Sequence, residues 1–133
     1  MLRNAVNDGT EKIVATPHYG NGYGVSTISE VKNYVNKLKS LLEEKDMKIE
    51  IYSGHEVYLN EYILEECLDG KIGTINDSNY MLMEFDMNKF SYDVLNIIYE
   101  FKIRDIVPII AHPERYLPVI EYALYMKVDV YFK

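Results

Sequence analysis

Short apolar runs alternate with helical periods along this chain. Lys12-Ile13-Val14-Ala15-Thr16 is a strand-length run, halted at Pro17, which has no N–H to give to a ladder. After the turn-rich Gly20-Asn21-Gly22-Tyr23-Gly24, a Ser26 or Thr27 cap opens a long helix, with Glu30 placed to close a capping box. Val31, Tyr34, Val35, Leu38, Leu41 and Leu42 recur at the 3.6-residue period and mark its apolar face. The polar segment Glu43-Glu44-Lys45-Asp46 ends it. The pattern then predicts a strand over Lys48 to Gly54, a helix from Glu61 to Leu68 stopped by Asp69-Gly70, and a strand from Tyr80 to Phe85. A helix from Tyr92 to Lys102, a strand from Val107 to Ala111, a helix from Leu117 to Met126 and a strand from Val128 to Phe132 follow. Met1 to Asp8 reads as the back half of a helix with Gly9 as its stop.

Strands that are apolar on both faces and alternate with helices imply an α/β unit, a parallel sheet of about five strands covered by helices. No repeat, low-complexity tract or Pro/Ser-rich linker divides the 133 residues, so residues 1–133 are expected to form a single domain. Both ends are abrupt. The pattern begins inside a helix and stops at a strand, so an internal fragment of a larger sheet or barrel is expected. Open edges invite pairing; a homo-oligomer is expected, with the edge near Lys12–Thr16 or Val128–Phe132 covered by a neighbour.

Charge narrows the function. Lys plus Arg number 14 against 21 Asp plus Glu, a net charge of −7. Such an acidic chain is a poor non-specific nucleic-acid binder, because that binding needs surplus basic residues on phosphates. The single cysteine, Cys67, excludes an intrachain disulfide and reads as a helix-packing residue. No apolar stretch approaches the roughly 20 residues of a membrane helix, and the start lacks the apolar core of a signal peptide. A cytoplasmic protein without membrane attachment is expected.

Candidate chemistry gathers where functional residues of parallel α/β proteins gather, at the carboxyl ends of strands. The strands run into Thr16-Pro17-His18, Gly54-His55-Glu56, Met83-Glu84-Phe85 and Ala111-His112-Pro113, so all three histidines lie at such ends. Glu84 stands within an apolar strand, where a carboxylate is costly unless it is paired or metal-bound; a lysine or arginine partner is the alternative. Imidazole and carboxylate together suit Zn, Mn, Fe or related divalent ions. The glycine-rich 20–24 segment lacks the Lys-Ser/Thr of a phosphate-binding P-loop. Cys67 has no arginine five or six residues on, so a cysteine-phosphatase loop is absent.

At these same residues the sequence resembles the PHP (polymerase and histidinol phosphatase) metal hydrolases, in their capsule-associated bacterial protein-tyrosine phosphatase branch. The resemblance lies in Ala15-Thr16-Pro17-His18-Tyr19, Gly54-His55-Glu56-Val57, Met83-Glu84-Phe85 and Ile110-Ala111-His112-Pro113-Glu114-Arg115-Tyr116. It implies a distorted (β/α)₇, TIM-like barrel with divalent ions, manganese before Fe, Zn, Co or Mg, at the strand ends. By this resemblance Glu56 is the carboxylate bridging two ions, Glu84 and His112 further ligands of one of them, and His18 a ligand of a third. Arg115 is the implied phosphate-holding catalytic residue, a role its planar fork of donors suits. His55 falls where the family varies, and neighbours on a strand point to opposite faces; it reads as a packing histidine.

The resemblance further implies metal-assisted hydrolysis of phosphotyrosine in proteins, typically the tyrosine kinase that controls capsule or exopolysaccharide export. The family's opening Asp-x-His-x-His and closing Asp-x-His motifs have no counterpart in this sequence, so residues 1–133 read as an incomplete PHP domain with impaired activity. Two alternatives follow: a non-catalytic remnant that binds at most one ion, and a PHP phosphoesterase for another substrate such as histidinol phosphate.

Overall fold

The computed structural model describes residues 2–20, 22, 26–86 and 92–116. It is α/β, with parallel strands alternating with helices. Helix α1 (Leu2–Asn7) precedes β1 (Lys12–Ala15) and β2 (His18–Tyr19), and α2 (Ile28–Glu44) precedes β3 (Glu50–Ser53) and β4 (Glu56–Tyr58). Helix α3 (Ile63–Leu68) leads to β5 (Tyr80–Glu84), and α4 (Tyr92–Lys102) leads to β6 (Val107–Ile110). The helix expected over Leu117–Met126 and the strand over Val128–Phe132 lie outside the described residues, as do Asn21, Tyr23 and Gly24 of the glycine-rich loop.

Two of the expected strands, now β1 and β3, are each followed after a kink by a short further strand that the sequence pattern did not predict. The Lys12–Thr16 run breaks at Thr16-Pro17 and resumes as β2; the Lys48–Gly54 run breaks at Gly54-His55 and resumes as β4. β1 pairs with β3, Lys12 opposite Glu50, and β2 pairs with β4, His18 opposite Glu56, so the register offset is the same on both sides of the kink. The Gly54 N–H donates to the Ala15 carbonyl at 3.0 Å and the Glu56 N–H to the Pro17 carbonyl at 3.1 Å. The partnership therefore passes through the break although Pro17 donates nothing. His18 and Glu56 consequently open new strands instead of trailing old ones.

The larger sheet has the order β2-β4-β5-β6, all parallel. Partners in register share a face. Tyr19, Val57, Met83 and Ile110 are register partners in sequence across it, and all are buried against Ile63 of α3 and Ile98 and Phe101 of α4. Burying each such large side chain contributes about 1.5–3 kcal/mol. Alternation sends His18, Glu56, Leu82 and Glu84 to the opposite face, away from these helices. A second cluster, Val31, Val35 and Leu42 of α2 on Ile51, covers the β1–β3 pair. Tyr34 and Leu41, assigned from periodicity to the apolar face of α2, are 64% and 48% exposed; a two-stranded platform covers a narrower arc than the apolar stripe spans.

Caps set the helix limits. Thr27 and Glu30 form the expected capping box, the Thr27 N–H donating to Glu30 Oε2 at 2.7 Å. All four described helices close with paired bonds of the Schellman type. For α2 the Met47 N–H reaches the Leu42 carbonyl and the Asp46 N–H the Glu43 carbonyl; for α4 the Ile106 N–H reaches Phe101 and the Asp105 N–H reaches Lys102. Gly9 and Gly70 occupy the left-handed position after α1 and α3, while Asp46 and Asp105 do so after α2 and α4.

Candidate metal centre

The side chains of interest meet because three strand ends bring them to one face. His18 and Glu56 are direct register partners, and Glu84 stands opposite Tyr58, two residues along from Glu56. His112 arrives after β6, where the Ala111 N–H donates to the Met83 carbonyl at 2.8 Å and holds the chain beside β5. His112 itself is left-handed, φ 49 and ψ 49, immediately before Pro113. For a residue other than glycine that conformation costs on the order of 1–3 kcal/mol.

His18, Glu56 and Glu84 each offer a ligand atom, and these atoms all lie within 4.8 Å of one another. His18 Nε2 is 3.8 Å from Glu84 Oε1, and His112 Nε2 is 3.9 Å from Glu56 Oε1. Both separations are too long for hydrogen bonds. Two atoms that share an ion at about 2.1 Å sit roughly 3–4 Å apart, which is the spacing observed. The tight triplet thus contains His18 with the two carboxylates, and His112 flanks it on the Glu56 side, whereas the resemblance grouped His112 with the carboxylates and set His18 apart.

Burial argues for a cation here. Glu56 is 9% exposed, and its Oε1 is inaccessible and has no hydrogen-bond donor. An unpaired buried carboxylate oxygen is expensive, and a divalent ion removes that cost. Burial also raises the Glu84 carboxyl above its ordinary value of 4.5; the charge of Glu56 and a shared hydrogen bond with it push the same way, while His18 and His112 oppose. This donor set, two carboxylates with imidazoles, fits a divalent ion.

A pH dependence follows. The folded chain holds the Glu84 proton more tightly than the unfolded chain does, so the metal-free fold has its full stability below the unfolded value. It loses that contribution as pH rises through the raised folded value. Because Glu84→Gln does not titrate there, wild-type stability minus that of Glu84→Gln should fall as pH increases above about 4.5. Urea titrations of the two proteins across that range measure it, and a difference that rises with pH would contradict the assignment.

The remaining candidates separate clearly. Arg115 is exposed in the 3₁₀ turn Pro113–Arg115, one turn from His112. Tyr116, which the sequence reading did not single out, is buried beside it; its hydroxyl donates to the Phe85 carbonyl at 2.9 Å and its ring lies 4.2 Å from that of Phe85. The tyrosine thereby ties the turn that carries His112 and Arg115 to the end of β5. Its only sequence signal is its place at the end of Ala-His-Pro-Glu-Arg-Tyr. His55 points away from the centre into the helix-side core, where its Nδ1 accepts the Gly73 N–H at 3.1 Å. Cys67 is half-buried in the α3 packing, and burial pushes its thiol up. No helix among the described residues is long and apolar enough to cross a membrane.

Known proteins resemble this chain in sequence and in fold. CapC of Staphylococcus aureus is 34% identical over 121 residues, 91% of this chain and 48% of that protein. The tyrosine-protein phosphatases YwqE of Bacillus subtilis and CpsB of Streptococcus pneumoniae are both 28% identical, over 86% and 87% of this chain and 45% and 48% of their own lengths. The fold matches a crystal structure from work on YwqE and CpsB, described as unique metal-dependent tyrosine phosphatases. The TM-score is 0.84 at 26% identity, over 96% of this chain and 52% of that one. The chain thus spans about half the length of the curated relatives it matches. Residues 1–128 match the family profile described as capsular polysaccharide synthesis, CpsB/CapC, and with sequence and fold in agreement the chain belongs to that family.

Proposed function

We propose that this chain is part of a metal-dependent protein-tyrosine phosphatase of the capsular and exopolysaccharide regulation type, with manganese as its ion. The observation that carries the reading is the buried, undonated Glu56 Oε1 facing His18, Glu84 and His112. A divalent ion bound there supplies Lewis-acid polarisation of phosphoryl oxygens and lowers the pKa of water. Arg115 offers a planar donor fork to the phosphate, from a turn that Tyr116 anchors on β5. Phenolate, with a pKa of about 10, departs with little proton assistance.

The substrate in this reading is a phosphotyrosine protein, a capsule-regulating tyrosine kinase among them, encountered in the cytoplasm. In this reading residues 1–133 are an incomplete PHP domain of the distorted (β/α)₇ barrel type, and copies associate as a homo-oligomer. Hydrolysis of a phosphotyrosine peptide and of histidinol phosphate, each with and without Mn²⁺, tests the proposal. Manganese-dependent release from the peptide, below the usual enzymatic range of about 1–10³ per second and lost in Arg115→Ala, is the expected result. Preference for histidinol phosphate, or metal binding with no hydrolysis of either ester, contradicts it.

A further inference from the structure

The imidazole of His55 stands at the kink between β3 and β4, one residue before Glu56, and is 1% exposed. The bond from the Gly73 N–H fixes its tautomer: Nδ1 accepts and so carries no proton, which places the proton on Nε2. Nε2 is inaccessible and meets no acceptor in good geometry. The ring is therefore held from one side by Gly73 and from the other by Tyr19, whose ring centroid is 5.2 Å away at a 48° tilt. Tyr19 follows His18 on β2 with the opposite orientation, so whatever fixes Tyr19 on the core side fixes His18 on the site side.

The same imidazole also gathers the segments around it. The Ser26 backbone lies near the ring, and the Ile28 N–H at the start of α2 donates to the Lys71 carbonyl at 2.8 Å, two residues before Gly73. Tyr19 packs on the ring from β2, and the Ser26 backbone approaches it just before α2. We propose that His55 is a positioning residue for the metal centre, holding β2 and its His18 in register with Glu56 through Tyr19 and Gly73. The proposal rests on the reading of His18 and Glu56 as ligands. A hydrocarbon of similar volume would fill the space and leave the Gly73 N–H without an acceptor; a glutamine could still accept from it.

The test uses the full chain with Zn²⁺ alone as the probe. His55→Leu is expected to weaken Zn²⁺ binding about tenfold, the lower end of the effect of losing an orienting partner, and to shift the His18 ring resonances of the metal-free protein. His55→Gln should keep both close to wild type. A folded His55→Leu protein with a lower melting temperature but unchanged Zn²⁺ affinity and His18 resonances would show a merely structural histidine and overturn the proposal. Should His55→Leu not fold, the wild type decides. A proton on Nε2 with a slowly exchanging Gly73 amide is expected; a proton on Nδ1 overturns the proposal. If wild type itself binds no Zn²⁺, the metal reading fails, and the His18 resonances of His55→Leu and His55→Gln judge the positioning role alone.

Discussion

Glu56→Gln is expected to lower divalent-metal affinity by at least about 100-fold, the upper end of what losing even an orienting partner costs, and to leave the metal-free fold as stable as wild type or more so. The two effects share one cause. Glu56 is 9% exposed, with an Oε1 that no group donates to. Without an ion Oε1 has only the His112 imidazole at 3.9 Å, too far to donate, and a buried carboxylate oxygen left without a donor is penalised; with an ion it would be the central ligand. The neutral amide removes the penalty and the ligand together. It also removes the charge that helps to hold the Glu84 carboxyl up, so Glu84 should titrate closer to its ordinary value in this variant. Calorimetric metal titration and urea unfolding of the metal-free protein measure the pair. A Glu56→Gln protein that keeps wild-type metal affinity, or that is several kcal/mol less stable than wild type without metal, would mean that Glu56 is a structural hydrogen-bonding residue.

Gly73→Ala should destabilise the fold by about 1–3 kcal/mol, the range for forcing extra atoms into a packed core. A Cβ on Gly73 would overlap the side chain of Ile28 along its length, and the Ile28 Cβ itself would lie at 2.9 Å. A tip atom could swing aside, but a Cβ moves only with its backbone. The N-terminal turn of α2 must therefore shift, although the Ile28 N–H is bonded to the Lys71 carbonyl and Thr27 is locked in its capping box. Thermal and urea unfolding report the loss. Gly9→Ala is the contrast: nothing lies within 4 Å of a Cβ there, and only its left-handed backbone is strained. A Gly73→Ala protein as stable as wild type would show that Gly73 is not tightly packed.

What the sequence made legible follows from the range of each interaction. The capping box at Thr27 and Glu30 was readable because its partners are three residues apart. The stops at Gly9 and Gly70 were readable because glycine signals the left-handed position. The polar 43–46 segment and Lys102 marked the ends of α2 and α4, but the left-handed residues Asp46 and Asp105 were not legible, since aspartate reads as a generic polar residue until the bonds from Met47 to Leu42 and from Ile106 to Phe101 are seen. The division of two strands at Pro17 and Gly54 was half legible. Proline announced a break, but only the shared register on either side shows that pairing resumes, and that resumption puts His18 opposite Glu56. The site histidines and glutamates were visible as polar residues beside apolar runs. Which of them form the tight triplet depended on sheet register, and the roles of Gly73 and Tyr116 depended on contacts 18 and 31 residues distant in the chain, which no local pattern encodes.

His18, Glu56, Glu84 and His112 are proposed to surround one divalent ion. Anomalous diffraction from crystals grown with Mn²⁺ tests this most directly. A manganese peak within about 2.0–2.3 Å of a Glu56 carboxylate oxygen, with His18 and Glu84 also in the coordination shell and the peak absent in Glu56→Gln, is the predicted result. A centre free of anomalous density at saturating Mn²⁺, with Glu56 Oε1 instead bonded to a protein donor or an ordered water, would contradict it.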